Sequence, residues 1–177
     1  MRIRIEKRHI ISIAGLLCLM PPAFGDTCSA TNTNNNMSCS VTCPVGQSAK
    51  CSNGTGSTPP SCTCNGGFTD QMKMTIKLKN ASASKVAVFA KAHVPPETVK
   101  KISDIKVPIS VEAVDATPTG IRALFENLSL AAGKKSDPGL YCVACGPANE
   151  CKVCPLGEQR HYCDQNGHPH VDCNSPW

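Results

Sequence analysis

The chain has 177 residues, a formal net charge of +5 and 13 cysteines, but only four Phe, two Tyr and one Trp. This length suits one or two modest domains and excludes a large multi-domain enzyme. The composition excludes collagen, a coiled coil and a polytopic membrane protein, and the few aromatic residues leave little material for a large core. We therefore expect disulfide bonds to stabilise parts of the chain.

Residues 1–25 have the pattern of a secretory signal peptide. A basic start precedes an apolar run over residues 10–20, which is too short to span a bilayer, and a small-residue cleavage pattern ends at Gly25. Cleavage there removes Cys18 and leaves an even 12 cysteines, and it lowers the net charge to about +2. We expect an exported bacterial protein, periplasmic or secreted, with no membrane span and no nucleic-acid partner.

The remaining cysteines form two sets of six. We predict an N-terminal cysteine-rich module at residues 26–64, a central α+β domain at 65–141 without cysteine, and a C-terminal cysteine-rich module at 142–177. An even number lets each module close its bridges internally, but six cysteines allow 15 pairings and the sequence does not choose among them. The disulfide candidates are Cys28, Cys39, Cys43, Cys51, Cys62, Cys64, Cys142, Cys145, Cys151, Cys154, Cys163 and Cys173.

The N-terminal module combines polar stretches with turn signals. The run at residues 31–36 indicates a loop, and glycine-containing segments at 43–46 and 52–56 indicate turns between short strands. About three bridges of roughly 2 to 4 kcal/mol each would hold such a unit together. We interpret it as a bridge-stabilised spacer, with a knottin-like recognition tip as the alternative.

The central domain begins with a strand and a helix. Apolar and polar residues alternate over residues 72–79, which predicts a half-buried strand with a basic outer face. Val86, Phe89, Ala90 and His93 then follow at helical spacing. We interpret His93 as a residue at the border of the core rather than as a ligand.

A second strand and helix follow in the same domain. Alternation over residues 105–113 predicts the strand, Thr117 suits a helix N-cap, and Pro118 suits the first helical position. An apolar stripe over residues 121–128 predicts the helix, with Gly133 as its stop. A last strand is expected at residues 140–143, where the C-terminal module begins.

The two halves of this domain resemble each other. Residues 80–86 and 115–121 both carry an Asn or Asp, then Ala, then Ser or Thr, between a strand and an apolar helix. The repeat predicts a small βαββαβ domain with two helices on one face of its sheet, for which residues 99–102 are the candidate second strand.

Residues 71–143 resemble the short N-terminal periplasmic domain of bacterial secretins and signal-transducing TonB-dependent receptors. The resemblance rests on the recurring order of strand, Asx or small-residue turn and apolar helix. It implies contacts with other proteins in the periplasm and no chemistry.

Two chemical alternatives concern the C-terminal module. Cys142, Cys145, Cys151 and Cys154 form two C-x-x-C pairs, which could hold zinc or carry out thiol–disulfide exchange. The gap between the pairs is shorter than in zinc ribbons, and a Gly-Pro turn follows the first pair instead of a helix. Bridging of these cysteines is the simpler interpretation, with no cofactor.

The histidines and carboxylates do not indicate an active site. His161, His168 and His170 lie in or near turn sequences, and motifs for serine hydrolases, phosphate loops and zinc proteases are missing from the sequence. We predict a binding protein without a catalytic site, whose partner is another protein or a cell surface. Zinc binding or redox activity at residues 142–154 is the alternative.

Overall fold

The structure is a computed structural model that describes residues 25–131, 139–154 and 159–173. All but the last residue of the predicted signal peptide lies outside these ranges. The described strands are β1 (Thr27–Asn32), β2 (Met37–Thr42), β3 (Ala49–Ser52), β4 (Ser61–Cys64), β5 (Lys73–Ala81), β6 (Ile109–Ala116), β7 (Gly139–Cys145), β8 (Ala148–Cys154), β9 (Gln159–Cys163) and β10 (Pro169–Cys173). The described helices are α1 (Ala83–Ala90), α2 (Pro96–Ser103) and α3 (Pro118–Ala131).

Six strands form one sheet in the order β1-β2-β5-β6-β7-β8. Neighbouring strands are antiparallel except β6 and β7, which are parallel and are connected through α3. The β3–β4 and β9–β10 hairpins each form a separate two-stranded sheet. The predicted class, a disulfide-rich α+β fold, is confirmed.

The sheet crosses both predicted module boundaries. Met37, Cys39 and Val41 on β2 pair with Leu78, Ile76 and Met74 on β5, and all six side chains are buried. Strand β7 runs through the boundary between residues 141 and 142. The flanking segments therefore share a core with the central segment, because β2 offers an apolar face that complements that of β5.

The order of elements in the centre is βααβαβ, which differs from the predicted βαββαβ. Residues 99–102, the candidate second strand, lie within α2. Pro96 occupies an early helical position, Glu97 lies in the first turn, and Lys100 and Lys101 lie in the last turn. These positions suit a helix, because proline fits the first turn and the charges oppose the helix dipole.

The repeated Asx residues have the same backbone conformation. Asn80 has φ 50° and Asp115 has φ 46°, so both are left-handed at the point where a strand turns toward a helix. Asn and Asp tolerate this conformation better than most residues. The N–H of Gly120 donates to Thr117 Oγ1 at 3.1 Å, as expected of an N-cap, while the predicted stop at Gly133 lies outside the described residues.

Two hairpins cover opposite faces of the sheet at its opposite ends. Cys28–Cys51, Cys39–Cys62 and Cys43–Cys64 hold the β3–β4 hairpin on the face that also carries the helices. Cys145–Cys163 and Cys154–Cys173 hold the β9–β10 hairpin on the other face, and Cys142–Cys151 joins β7 to β8. Each set of six cysteines therefore pairs within itself, and the N-terminal pairs interleave.

Candidate functional site: an apolar groove

A groove separates α1 from the β3–β4 hairpin on the helix-bearing face. The disulfides place the hairpin over β1 and β2, and α1 packs on β5, the next strand in the sheet. The groove has a volume of about 430 Å³. Its lining residues are Thr58, Pro59, Pro60, Ser61, Cys62, Thr63, Phe68, Val88, Phe89, Ala92 and His93.

Two large apolar side chains in this groove are exposed. Phe68, in the loop between β4 and β5, is 45% exposed, and Val88 on α1 is 57% exposed. Phe89 is buried in the core, so Val88, one position earlier on the helix, is turned away from the core. Exposed apolar residues that lie singly are ordinary, whereas two that line one concave site make that site a candidate binding surface.

His93 is the titratable residue of the groove. Its ring lies 5.1 Å from that of Phe68, 5.9 Å from Phe89 and 6.0 Å from Phe125, between ring centroids. Burial lowers the pKa of His93 from 6.5 to about 4, so the imidazole is neutral at pH 7. A neutral imidazole offers one hydrogen-bond donor and one acceptor.

The groove combines the features of a typical ligand site. It is concave and mostly apolar, it contains a neutral polar group with a shifted pKa, and hydroxyl groups of Thr58, Ser61 and Thr63 belong to its lining residues. Such a site can bury an apolar group and orient it with a few hydrogen bonds.

The cysteines of the zinc and redox alternative are all bridged. Cys142 pairs with Cys151, Cys145 with Cys163, and Cys154 with Cys173, so these sulfurs are not free thiolates. Within the described ranges, no three or more His, Cys, Asp or Glu side chains are arranged to hold a metal ion. The four cysteines of the two C-x-x-C motifs therefore belong to three structural disulfides, none of which lies within a single motif.

Three further histidines of the described residues have carboxylate partners. His161 Nε2 lies 2.6 Å from Glu112 Oε2, and this hydrogen bond is the main cause that lowers the pKa of Glu112. Asp164 Oδ2 lies 3.3 Å from His168 Nδ1 and 3.4 Å from His170 Nε2. Backbone N–H donation from His168 is the first cause that lowers the pKa of Asp164 to about 2. These contacts fix the β9–β10 hairpin and its turn.

Comparisons with protein-family models, with curated proteins and with solved structures found no match. Among the part of the chain that the structure describes, no helix is long and apolar enough to cross a membrane. Helical spacing predicts Phe89 in the core and His93 at its border, but no sequence pattern marks Phe68 or Val88 as site residues. The signal available for Val88 was that it is an apolar residue of α1 outside the stripe of buried residues.

Proposed function

We propose that this is an exported, disulfide-stabilised binding protein that holds a partner protein by an apolar side chain in the groove. The proposal involves no catalytic step of its own. The observation that carries it is the exposure of Phe68 and Val88 in one groove beside the neutral His93. Six disulfides suit the oxidising compartments outside the cytoplasm, where we place the protein as periplasmic or secreted.

A partner protein fits this groove because of the kind of surface that it offers. Buried aromatic and apolar anchors surrounded by a polar rim supply most of the energy in protein interfaces. Phe68, Val88 and Phe89 provide the apolar part, while Ser61 and Thr63 on β4 provide a polar margin. An aromatic or large aliphatic side chain of the partner would complete the cluster.

The test uses N-acetyl-tryptophan amide as a minimal apolar side chain. We expect it to shift the NMR signals of groove residues in the wild type. Val88→Lys should weaken this binding by about tenfold or more, because it places a charge in the apolar contact. Leu130→Lys is the matched control, since Leu130 is 68% exposed on α3 and is not a lining residue. Equal binding by both variants, or shifts outside the groove, would contradict the proposal.

A further inference from the structure

A strand edge faces the groove from the side opposite α1. Cys28–Cys51 sets β3 over β1, and Cys39–Cys62 sets β4 over β2. Beyond β2 in the sheet comes β5, which carries α1 on the same face. The edge of β4 that is not paired with β3 is therefore directed toward α1, across the groove.

Two hydrogen bonds establish which backbone groups lie on that edge. In an antiparallel pair, only alternate residue pairs exchange hydrogen bonds across the ladder. Asn65 N–H donates to the carbonyl of Ser48 at 3.0 Å, so residues 61, 63 and 65 point their backbone groups toward β3. Ala49 N–H donates away from β4, to Asp26 Oδ2 at 2.8 Å, which agrees with this assignment. Cys62 therefore directs its N–H and C=O away from β3.

The backbone groups of Cys62 have no hydrogen-bond partner among the described residues. Cys62 is a groove-lining residue, and it is only 6% exposed. Backbone N–H and C=O groups at an unpaired strand edge are available to bond a ligand, so these two can take an acceptor and a donor from a molecule in the groove. The backbone of an extended chain supplies both from a single residue.

We propose that the groove binds an extended peptide segment, which adds to the free edge of β4 as a strand. This inference rests on the proposed function and specifies its ligand. The backbone of the segment would pair with Cys62, while an apolar side chain enters the space between Phe68 and Val88. Peptides bind other folds by the same combination, in which backbone bonds give affinity and side-chain pockets give specificity.

The charges beside the groove indicate acidic residues in the peptide. The lining residues include no charged side chain at neutral pH, and no carboxylate is among them. Exposed Lys50 lies opposite the lining residue Thr63 in the hairpin, and exposed Lys91 precedes the lining residue Ala92. A lysine therefore neighbours a lining residue on both walls of the groove. An extended peptide with acidic residues on both sides of an apolar one is therefore the complementary ligand.

The experiment selects peptides on the intact protein. A displayed library of random dodecapeptides is selected on the wild type and counter-selected against Val88→Lys. We expect enrichment of an apolar residue with acidic neighbours. The enriched peptide is then synthesised in two isomers, with an N-methyl group on one of two adjacent backbone nitrogens. One isomer should lose about tenfold in affinity through a lost hydrogen bond and the clash of the methyl group, and the other should lose less.

A second measurement reports on the strand edge itself. Amide hydrogen exchange of Cys62 should slow when the peptide binds, while that of Thr63, which already bonds to β3, should change less. Equal affinities of the isomers and unchanged exchange at Cys62 would overturn strand addition and leave side-chain binding in place. Failure to enrich any peptide, although N-acetyl-tryptophan amide binds, would also overturn the peptide proposal alone. Failure of both probes would overturn the proposed function.

Discussion

At the scale of a single residue, His93 connects the groove to the stability of the fold. Its ring packs against those of Phe68, Phe89 and Phe125, and burial lowers its pKa to about 4. The unfolded chain, with a histidine pKa near 6.5, binds a proton more readily than the folded protein. The contribution of neutral His93 to the free energy of unfolding is therefore fully present above pH 6.5. It declines as the pH falls toward 4 and is lost below pH 4.

Replacement of His93 should remove this pH dependence. We expect the wild type to lose about 2 to 3 kcal/mol of unfolding free energy between pH 7.5 and pH 4.5 through His93. His93→Phe keeps an aromatic ring in the cluster and should lose correspondingly less over the same range. Urea unfolding of both proteins at the two pH values measures the difference. Parallel losses in the two proteins would show that His93 is not buried in its neutral form.

At the scale of an element, α2 illustrates how local signals decide between a helix and a strand. Thr98 and Ile102 are buried four positions apart, whereas Lys100 between them is exposed. In a strand these three side chains would share a face, because successive residues alternate. The burial pattern is therefore that of a helix with one apolar face.

Substitutions in α2 should follow that helical pattern. Ile102→Ala should cost about 2 to 5 kcal/mol, because Ile102 is fully buried and its loss leaves a cavity. Lys100→Ala should change the stability by less than about 0.5 kcal/mol, because the side chain is exposed and alanine favours helices. Chemical denaturation of the two variants gives both values. A cost at Lys100 similar to that at Ile102 would indicate the period of a strand.

Elements with a clear apolar period could be predicted from the sequence. Alternation predicts β5 and, starting a few residues early, β6, and the stripe of Ile121, Leu124, Phe125 and Leu128 predicts α3. The Pro-Gly turn signal before residues 140–143 predicts β7. Residues 99–102, the candidate strand that lies in α2, follow Pro95 and Pro96, a pair that commonly interrupts regular structure. In the fold these prolines begin the helix instead.

The groove could not be predicted, because it depends on disulfide pairing. Phe68 lies in a loop and Val88 lies outside the apolar stripe of α1, so neither had a periodic signal. Both line the groove because Cys39–Cys62 and Cys43–Cys64 hold the β3–β4 hairpin beside α1. Local patterns do not select one pairing among 15, and the position of the hairpin follows from that choice.

At the scale of the whole molecule, one sheet unites segments that composition separates. Strands from the N-terminal, central and C-terminal segments lie side by side in it, and they share a continuous core on the helix-bearing face. The two disulfide sets hold hairpins at opposite ends of this sheet rather than forming independent units. We therefore expect the protein to unfold as a single cooperative unit.

Calorimetry tests that cooperativity. The wild type should show one transition, with equal calorimetric and van't Hoff enthalpies. The double variant Cys28→Ala, Cys51→Ala opens a bridge of sequence separation 23 and should lower the stability by about 3 kcal/mol without splitting the transition. An increase of about 12 Da in intact mass on full reduction verifies six bridges in the starting material. Separate transitions for the N-terminal and central segments would contradict a shared core.

The interleaved bridges of the N-terminal set have a consequence for how the chain matures. Cys28, Cys39 and Cys43 precede all of their partners, Cys51, Cys62 and Cys64. An oxidant that joins cysteines in the order in which they emerge would first link two that are not partners in the folded protein. Thiol–disulfide exchange must then reopen that link. We therefore expect the folding yield to depend on disulfide isomerase activity as well as on an oxidising environment.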